Sequence, residues 1–311
     1  MRLLNRREFN GLCVVASCVA WSDASAVEPV SGTASSGASR TVKFPTGTVV
    51  PALGQGSAGL GQGRHPAAEE EEALRTGLSL GMTLIDTSGD YGAGRSEELI
   101  KRVIAGQRDR AIVVSKVEAN DVTRGAMARA CEASLTRLGT NYLDLYLLHW
   151  PVSHDHFSDA VAGFESLRAA GKIRAWGVSN FSVRQMEDLF RIPQGDRCAT
   201  NQVPYSVGHR SIERDLLPWC ERHGMPVMAY SPLGGPGASL LHDPTLASIG
   251  GARGCSAAAV ALAWTIRDGN VIAIPESGSV AHVKENAVAL SLTLTPQEVQ
   301  TLDAAHPPPG R

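Results

Sequence analysis

The sequence predicts an α/β protein built as a (β/α)8 TIM barrel, with an N-terminal β-hairpin and an extra C-terminal helix. Three observations carry that expectation. From Gly54 onward, eight short apolar runs alternate with amphipathic stretches of helical period. No linker interrupts the alternation after about residue 40. Three successive runs also end in an ionisable residue, namely Asp86, Lys116 and His149, which the C-terminal ends of barrel strands would gather on one face.

The 311 residues, 43% of them hydrophobic with a formal net charge of -2, suffice for a large core and show no charge bias toward nucleic acid. Residues 1–39 read as a separate segment and residues 40–311 as the barrel. In the first segment, Asn5-Arg6-Arg7-Glu8-Phe9 precedes a mildly apolar stretch and the small-residue site Ala24-Ser25-Ala26. That arrangement resembles a bacterial twin-arginine export signal followed by a flexible Ser/Gly/Ala linker, so a periplasmic mature chain beginning near Val27 is expected; a cytoplasmic protein with an unprocessed tail is the alternative. Val15-Ala16-Ser17-Cys18 also fits a lipoprotein processing box, which would make Cys18 a lipid anchor, while the apolar stretch is too short to span a membrane. Six cysteines stand without the close pairs of a zinc site, so no metal is expected. Buried thiols fit their scatter, and an oxidising compartment would allow some to pair.

Taken in order, residues 41–45 and 48–51 around Thr46-Gly47 read as the hairpin. The Gly-rich stretch 53–61 lacks the spacing of a dinucleotide fingerprint and reads as a strand whose backbone packs closely against neighbours. A helix over 66–80 follows, its Glu69–Glu72 run read as a solvated face at the positive end of the helix dipole. Strands are then expected at 83–86, 111–116, 143–149, 174–179, 199–203, 226–231 and 271–275, and helices at 95–104, 124–138, 158–170, 182–190, 212–223, 256–267 and 280–290. Between Gly237 and Ser256 no element is assigned. Thr295-Pro296-Gln297-Glu298 opens the extra helix, with a capping residue before a proline at the first helical position.

Leu84-Ile85-Asp86-Thr87-Ser88 leading to Tyr91-Gly92 is the centre of the pattern. Alone, Asp86 could be a helix cap and Tyr91 a packed ring. Gly177-Val178-Ser179-Asn180-Phe181, Asn201-Gln202-Val203-Pro204-Tyr205, Tyr230-Ser231-Pro232-Leu233 and Ile274-Pro275 follow in order, with Lys116 and His149 between. Together these segments, from about Thr41 to the terminal helix, resemble the aldo-keto reductase family. The resemblance implies a nicotinamide-dependent reductase of aldehydes or ketones, with Asp86, Tyr91, Lys116 and His149 as its catalytic residues.

The chemistry agrees with the residue types. Carbonyl reduction needs hydride at carbon and a proton at oxygen, and an unassisted tyrosine, with pKa near 10, exchanges protons poorly at neutrality. An ammonium beside the phenol lowers its pKa, and a carboxylate keeps that ammonium charged and aimed. By resemblance Tyr91 is the acid, Lys116 its modulator, Asp86 the partner of Lys116, and a neutral His149 polarises the carbonyl. The resemblance further implies that the nicotinamide stacks on Tyr230 and is held by Ser179, Asn180 and Gln202. It places Ser231 and Leu233 at the pyrophosphate, Glu276, Ser277 and His282 toward the 2′-phosphate, and Glu285 with Asn286 at the adenine, with Ile274 also among the cofactor-binding residues.

Two departures from the family pattern matter. Glu276 and His282 stand where relatives carry basic residues, so NADP(H) is the family default and NAD(H) or dual use is also open. Ala58 stands where relatives commonly place an aromatic ring, which widens the substrate mouth and leaves Trp150, Phe181 and Trp176 to line it, with ordinary barrel packing the alternative for Trp176. A small carbonyl compound is the expected partner. The alternative function is a non-catalytic redox sensor or regulatory subunit binding the cofactor on the same barrel. A hydrolase with paired carboxylates is disfavoured, because Asp86 is the only acid at these strand ends.

Overall fold

The computed structural model describes residues 40–122, 124–235, 237–308 and 310. The segment read as an export signal, Cys18 included, lies outside the described residues.

A short antiparallel hairpin, β1 (Thr41–Lys43) and β2 (Val49–Pro51), opens the fold, with Gly47 at φ 89° in its turn. Eight parallel strands follow in sequential order: β3 (Gln55–Gly56), β4 (Leu84–Asp86), β5 (Ile112–Val117), β6 (Leu143–Leu148), β7 (Ile173–Ser179), β8 (Asn201–Pro204), β9 (Val227–Tyr230) and β10 (Val271–Ala273). Backbone hydrogen bonds from Gly54 N to Ala273 O (2.8 Å) and from Gly56 N to Pro275 O (2.9 Å) join the last strand to the first and close the barrel. Close packing on both sides requires glycine here: a Cβ on Gly54, just before β3, would lie 2.8 Å from Leu84 Cδ2 of β4, and one on Gly56 2.9 Å from the Ile274 carbonyl oxygen across the closure.

Helices α1 (Ala67–Ser79), α2 (Arg95–Ile104), α3 (Arg124–Leu138), α4 (Phe157–Ala169), α5 (Val183–Phe190) and α6 (Leu216–Arg222) alternate with the strands. Then come α7 (Pro244–Arg253), α8 (Ala257–Thr265), α9 (Val280–Ala287) and α10 (Pro296–Ala305). Strand alternation divides the core in two. Ile85, Val113, Tyr146, Leu148, Trp176 and Val178 face the helices, whereas Leu84, Val114, Leu145, Leu147, Met228 and Ile272 share a second cluster with the hairpin residues Val42, Phe44 and Val50. Two residues beyond members of this second set lie Asp86, Lys116, His149 and Tyr230. The period of two thus carries one buried apolar face into one polar end of the barrel.

Two expectations need correction. The stretch 237–256 contains α7, capped by the Asp243 side chain with Pro244 at its first position and stopped by left-handed Gly254; Gly250 and Gly251 inside it mask the helical pattern. Glu70 is not on a solvated face. It is buried, and its carboxylate accepts a 2.8 Å hydrogen bond from Gly61 N, tying α1 to the loop after β3. Cys131, Cys198, Cys220 and Cys255 are free, and burial pushes the thiols of the first three up to about 12, so they remain inert thiols. Among the described residues, no single helix is long and apolar enough to cross a membrane.

Candidate active site

β4 ends on Asp86 and β5 carries Lys116 on the neighbouring strand, both side chains almost wholly buried. The Lys116 ammonium donates to Asp86 Oδ1 at 2.7 Å, to the Thr87 carbonyl at 2.8 Å and to Tyr91 Oη at 3.1 Å. All three of its N–H bonds are therefore used. The other carboxylate oxygen, Asp86 Oδ2, accepts from Gln202 Nε2 at 2.8 Å. Such a pair is tolerated in the interior because nothing polar in it is left unmatched.

Tyr91 reaches Lys116 from a tight turn, Tyr91–Gly94, whose Gly92 and Ala93 have φ values of 60° and 55°. Burial raises the Tyr91 phenol above its ordinary value, and although the Lys116 charge pulls it down, burial wins. The expected net lowering is not what the geometry gives: this phenol holds its proton at neutral pH. Burial also works against the Lys116 charge, but Asp86 and then Tyr91 outweigh it and hold the ammonium above its usual range.

His149 follows β6 directly, its ring edge-on to Tyr91 at 5.8 Å between centroids and stacked against Trp150 at 5.9 Å. Its Nδ1 lies 2.5 Å from Glu118 Oε1. Sequence reasoning missed Glu118. The register Val117↔Leu148 could have found it, since the next residues along this parallel pair are Glu118 and His149.

Ser179 ends β7 and donates to the Gln202 carbonyl at 2.8 Å. Asn180, at φ 65°, donates through Nδ2 to the Ser179 hydroxyl and the His149 carbonyl, and its Oδ1 accepts from the half-buried Tyr230 hydroxyl at 3.0 Å. Ser231 also has a left-handed backbone, φ 52°, and begins a loop containing Gly234, Gly235 and Gly237.

These groups surround a cavity of about 620 Å³, which Asp86, Tyr91, His149, Ser179, Asn180, Gln202 and Tyr230 line together with Ala58, Trp150, Ser231, Leu233, Ile274 and Glu276. A second cavity of about 400 Å³ is lined by Ser277, His282, Glu285 and Asn286. Arg64, Leu233, Ala238 and Glu276 border both, so they form the neck between the two chambers. Glu276 is already engaged there: its Oε2 accepts from Gly59 N at 2.6 Å and its Oε1 lies 3.6 Å from Arg64 Nη1. Arg64 and Gly59 escaped the sequence reading because they approach Glu276 from a loop more than 200 residues away. Phe181 needs correction. It is buried and stacked on Phe157 at 5.5 Å, in the layer between strands and helices, and does not line the cavity. Trp176 likewise packs on Phe164. Trp150, about half exposed, remains at the mouth.

The two-chambered groove suits a dinucleotide. One chamber offers an aromatic wall and carboxamide groups, the other a polar lining, and the glycine-rich loop borders the neck. Residues 52–307 match the model of the Aldo/keto reductase family. The chain belongs to that family. Methylglyoxal reductase YeaE of Escherichia coli (strain K12) is 45% identical over 273 residues, 87% of this chain and 96% of that protein. Glyoxal reductase of Bacillus subtilis (strain 168) is 31% identical, covering 85% of this chain and 92% of its own. Among solved structures, an aldo/keto reductase from Klebsiella pneumoniae in complex with NADP and acetate is 44% identical with a TM-score of 0.84, over 88% of this chain and 97% of that one.

Proposed function

We propose that this protein reduces small reactive aldehydes and α-dicarbonyls to alcohols with NADPH, using Tyr91 as the proton donor. The observation that carries the reading is the chain Asp86–Lys116–Tyr91 ending at the floor of the larger cavity, with His149 edge-on beside it. Tyr230, Ser179, Asn180 and Gln202 would hold a nicotinamide, which would supply the hydride. The protein's own groups do the rest. The Tyr91 phenol, protonated at neutral pH, delivers its proton to the oxygen that gains charge, and Lys116 stabilises the phenolate left behind. Asp86, held by Lys116 and Gln202, keeps the ammonium aimed. Ala58 leaves the mouth without a ring at this position, and Trp150 offers a flat apolar wall, which suits short carbonyl compounds. The names of the methylglyoxal and glyoxal reductase relatives support that substrate class.

NADP(H) is favoured by the relative solved with NADP and by the neck itself. Glu276, the carboxylate that would repel a 2′-phosphate, is engaged by Gly59 N and Arg64, and His282 and Ser277 border the adjoining chamber. Arg64 is thus the cation that this reading assigns to the cofactor phosphates. Relatives that are themselves reductases weigh against the sensor alternative. The test is NADPH and NADH consumption with methylglyoxal, with identification of the hydroxylated product. Faster turnover with NADPH is expected; tight cofactor binding without turnover would return the sensor reading.

The twin-arginine motif supports export of the folded protein, with residues 1–39 as signal and linker and residues 40–311 as the catalytic domain. Cofactor would then travel bound. Fractionation with N-terminal sequencing tests this: a periplasmic chain beginning near Val27 is expected, whereas an intact N-terminus in the cytoplasm would contradict it.

A further inference from the structure

We infer that Glu118 is a positioning residue for His149, fixing the ring and holding a proton on Nδ1 so that an Nε2–H group faces the pocket. The inference rests on the carbonyl reductase reading and deepens it. Its basis is geometric. Parallel β5 and β6 run in register through Val117↔Leu148, and His149 N donates to the Val117 carbonyl at 2.9 Å, so Glu118 and His149 leave their strands side by side. Glu118 Oε1 then sits 2.5 Å from Nδ1, while Trp150 stacks on the ring and Tyr91 meets its edge. Among the described residues, the titratable side chains that meet the ring are Glu118, the residue after β5, and Tyr91, from the loop after β4; Lys116 from β5 and then Asp86 stand behind Tyr91. Asn180, which donates to the His149 carbonyl, is neutral.

Counting protons gives the consequence. An imidazole nitrogen and a carboxylate oxygen at this distance share one proton, whichever atom formally owns it. If that is the only proton on the pair, Nε2 presents a lone pair, which repels the oxygen of a carbonyl gaining charge. To donate to that oxygen, the pair must hold a second proton, on Nε2. The working form is then a net-neutral Glu118–His149 unit with two protons, not the isolated neutral imidazole expected from sequence. Losing one of them switches off the donor, so the proton content of the pair enters the pH dependence of reduction beside that of the Tyr91 phenol.

Glu118→Ala and Glu118→Gln test this in the full-length protein with methylglyoxal and NADPH. Glu118→Ala is expected to lower kcat about tenfold at pH 7, an order below the ~10²-fold cost of losing an acid outright, with the alkaline limb moved to lower pH and the Kd for NADPH unchanged. The amide introduced by Glu118→Gln can donate to a bare Nδ1 and keep Nε2–H on a neutral ring. That variant should therefore recover most of kcat and move the alkaline limb upward, toward the limit set by Tyr91. In a His149→Ala background, Glu118→Ala should cost nothing further. An unchanged pH profile in both single variants, or an added loss in the His149→Ala background, would overturn the inference while leaving the reductase reading intact. Absence of turnover in the unmutated protein would instead overturn the reading on which it rests.

Discussion

The two chambers of the groove are built by different rules. Around the larger one, Asp86, Lys116, Ser179, Gln202 and Tyr230 come from strands in parallel register, and each meets a protein partner through its side chain. Around the smaller one, Ser277, His282 and Glu285 stand on the β10–α9 loop and α9, with His282 and Glu285 largely exposed. At the neck, the Arg64–Glu276 pair joins two loops far apart in sequence, with the Arg64 side chain 67% exposed. A barrel can therefore fix the inner end of its groove by strand pairing and leave its outer end to loops, where a charge is exchanged without disturbing the core.

The largest effect expected from breaking this division is at the strand ends. Lys116→Met leaves the Asp86 carboxylate buried with Gln202 as its remaining side-chain donor, and should cost roughly 3–5 kcal/mol of stability in urea titrations, the range for breaking one half of a buried pair. A loss below about 1 kcal/mol would mean that Asp86 is less enclosed than its partners imply. A pH effect follows from Tyr91. Burial raises its phenol above the ordinary value, so the phenolate needed for the reverse reaction is scarce at neutrality. In Glu118→Gln, whose neutral His149 would keep its Nε2–H, alcohol oxidation with NADP+ should therefore keep rising with pH through 9 and beyond, about tenfold per unit where phenolate alone limits; a plateau near neutrality would show that Lys116 outweighs burial.

At the neck the effect is smaller, because the pair is exposed. Arg64→Ala should weaken NADPH binding about fivefold, the ceiling for an exposed charge contact of about 1 kcal/mol, and NADH binding by less. Equal weakening of both would detach Arg64 from the 2′-phosphate. An effect of similar size lies outside the groove, at α10. Thr295 and Glu298 form a capping box, and Arg253 holds the Glu298 carboxylate down to about 2. Because that value is depressed, its stabilisation is present above the ordinary carboxylate range and is lost as pH falls through about 2. Glu298→Ala should cost about 1 kcal/mol near neutrality, measurable by thermal unfolding.

The same contrast governs what the sequence reveals. Alternating apolar runs mark the barrel, and because side chains repeat every two residues, Leu84 fixes the side of Asp86 and Val114 that of Lys116. The position of Tyr91 follows from its tight turn. Phe181 departs from its expected place because it lies past the end of β7, where the alternation no longer applies and the ring turns back onto Phe157. Glu70, Glu118 and Glu276 are opaque for a related reason: each carboxylate is claimed by a group on another element, Gly61 N, His149 and Gly59 N respectively, and no local pattern encodes such a meeting.

The most direct test of the central claim, that the larger chamber carries the proton chemistry while the neck and the smaller chamber set cofactor affinity, is the single-turnover rate of methylglyoxal reduction in Tyr91→Phe, measured with the Kd for NADPH. The account predicts a rate at least ~10²-fold lower, the typical cost of removing a general acid, with a Kd within about twofold of the unmutated protein, a shift well under 1 kcal/mol. An undiminished rate, or a rate and affinity that fall together, would contradict it.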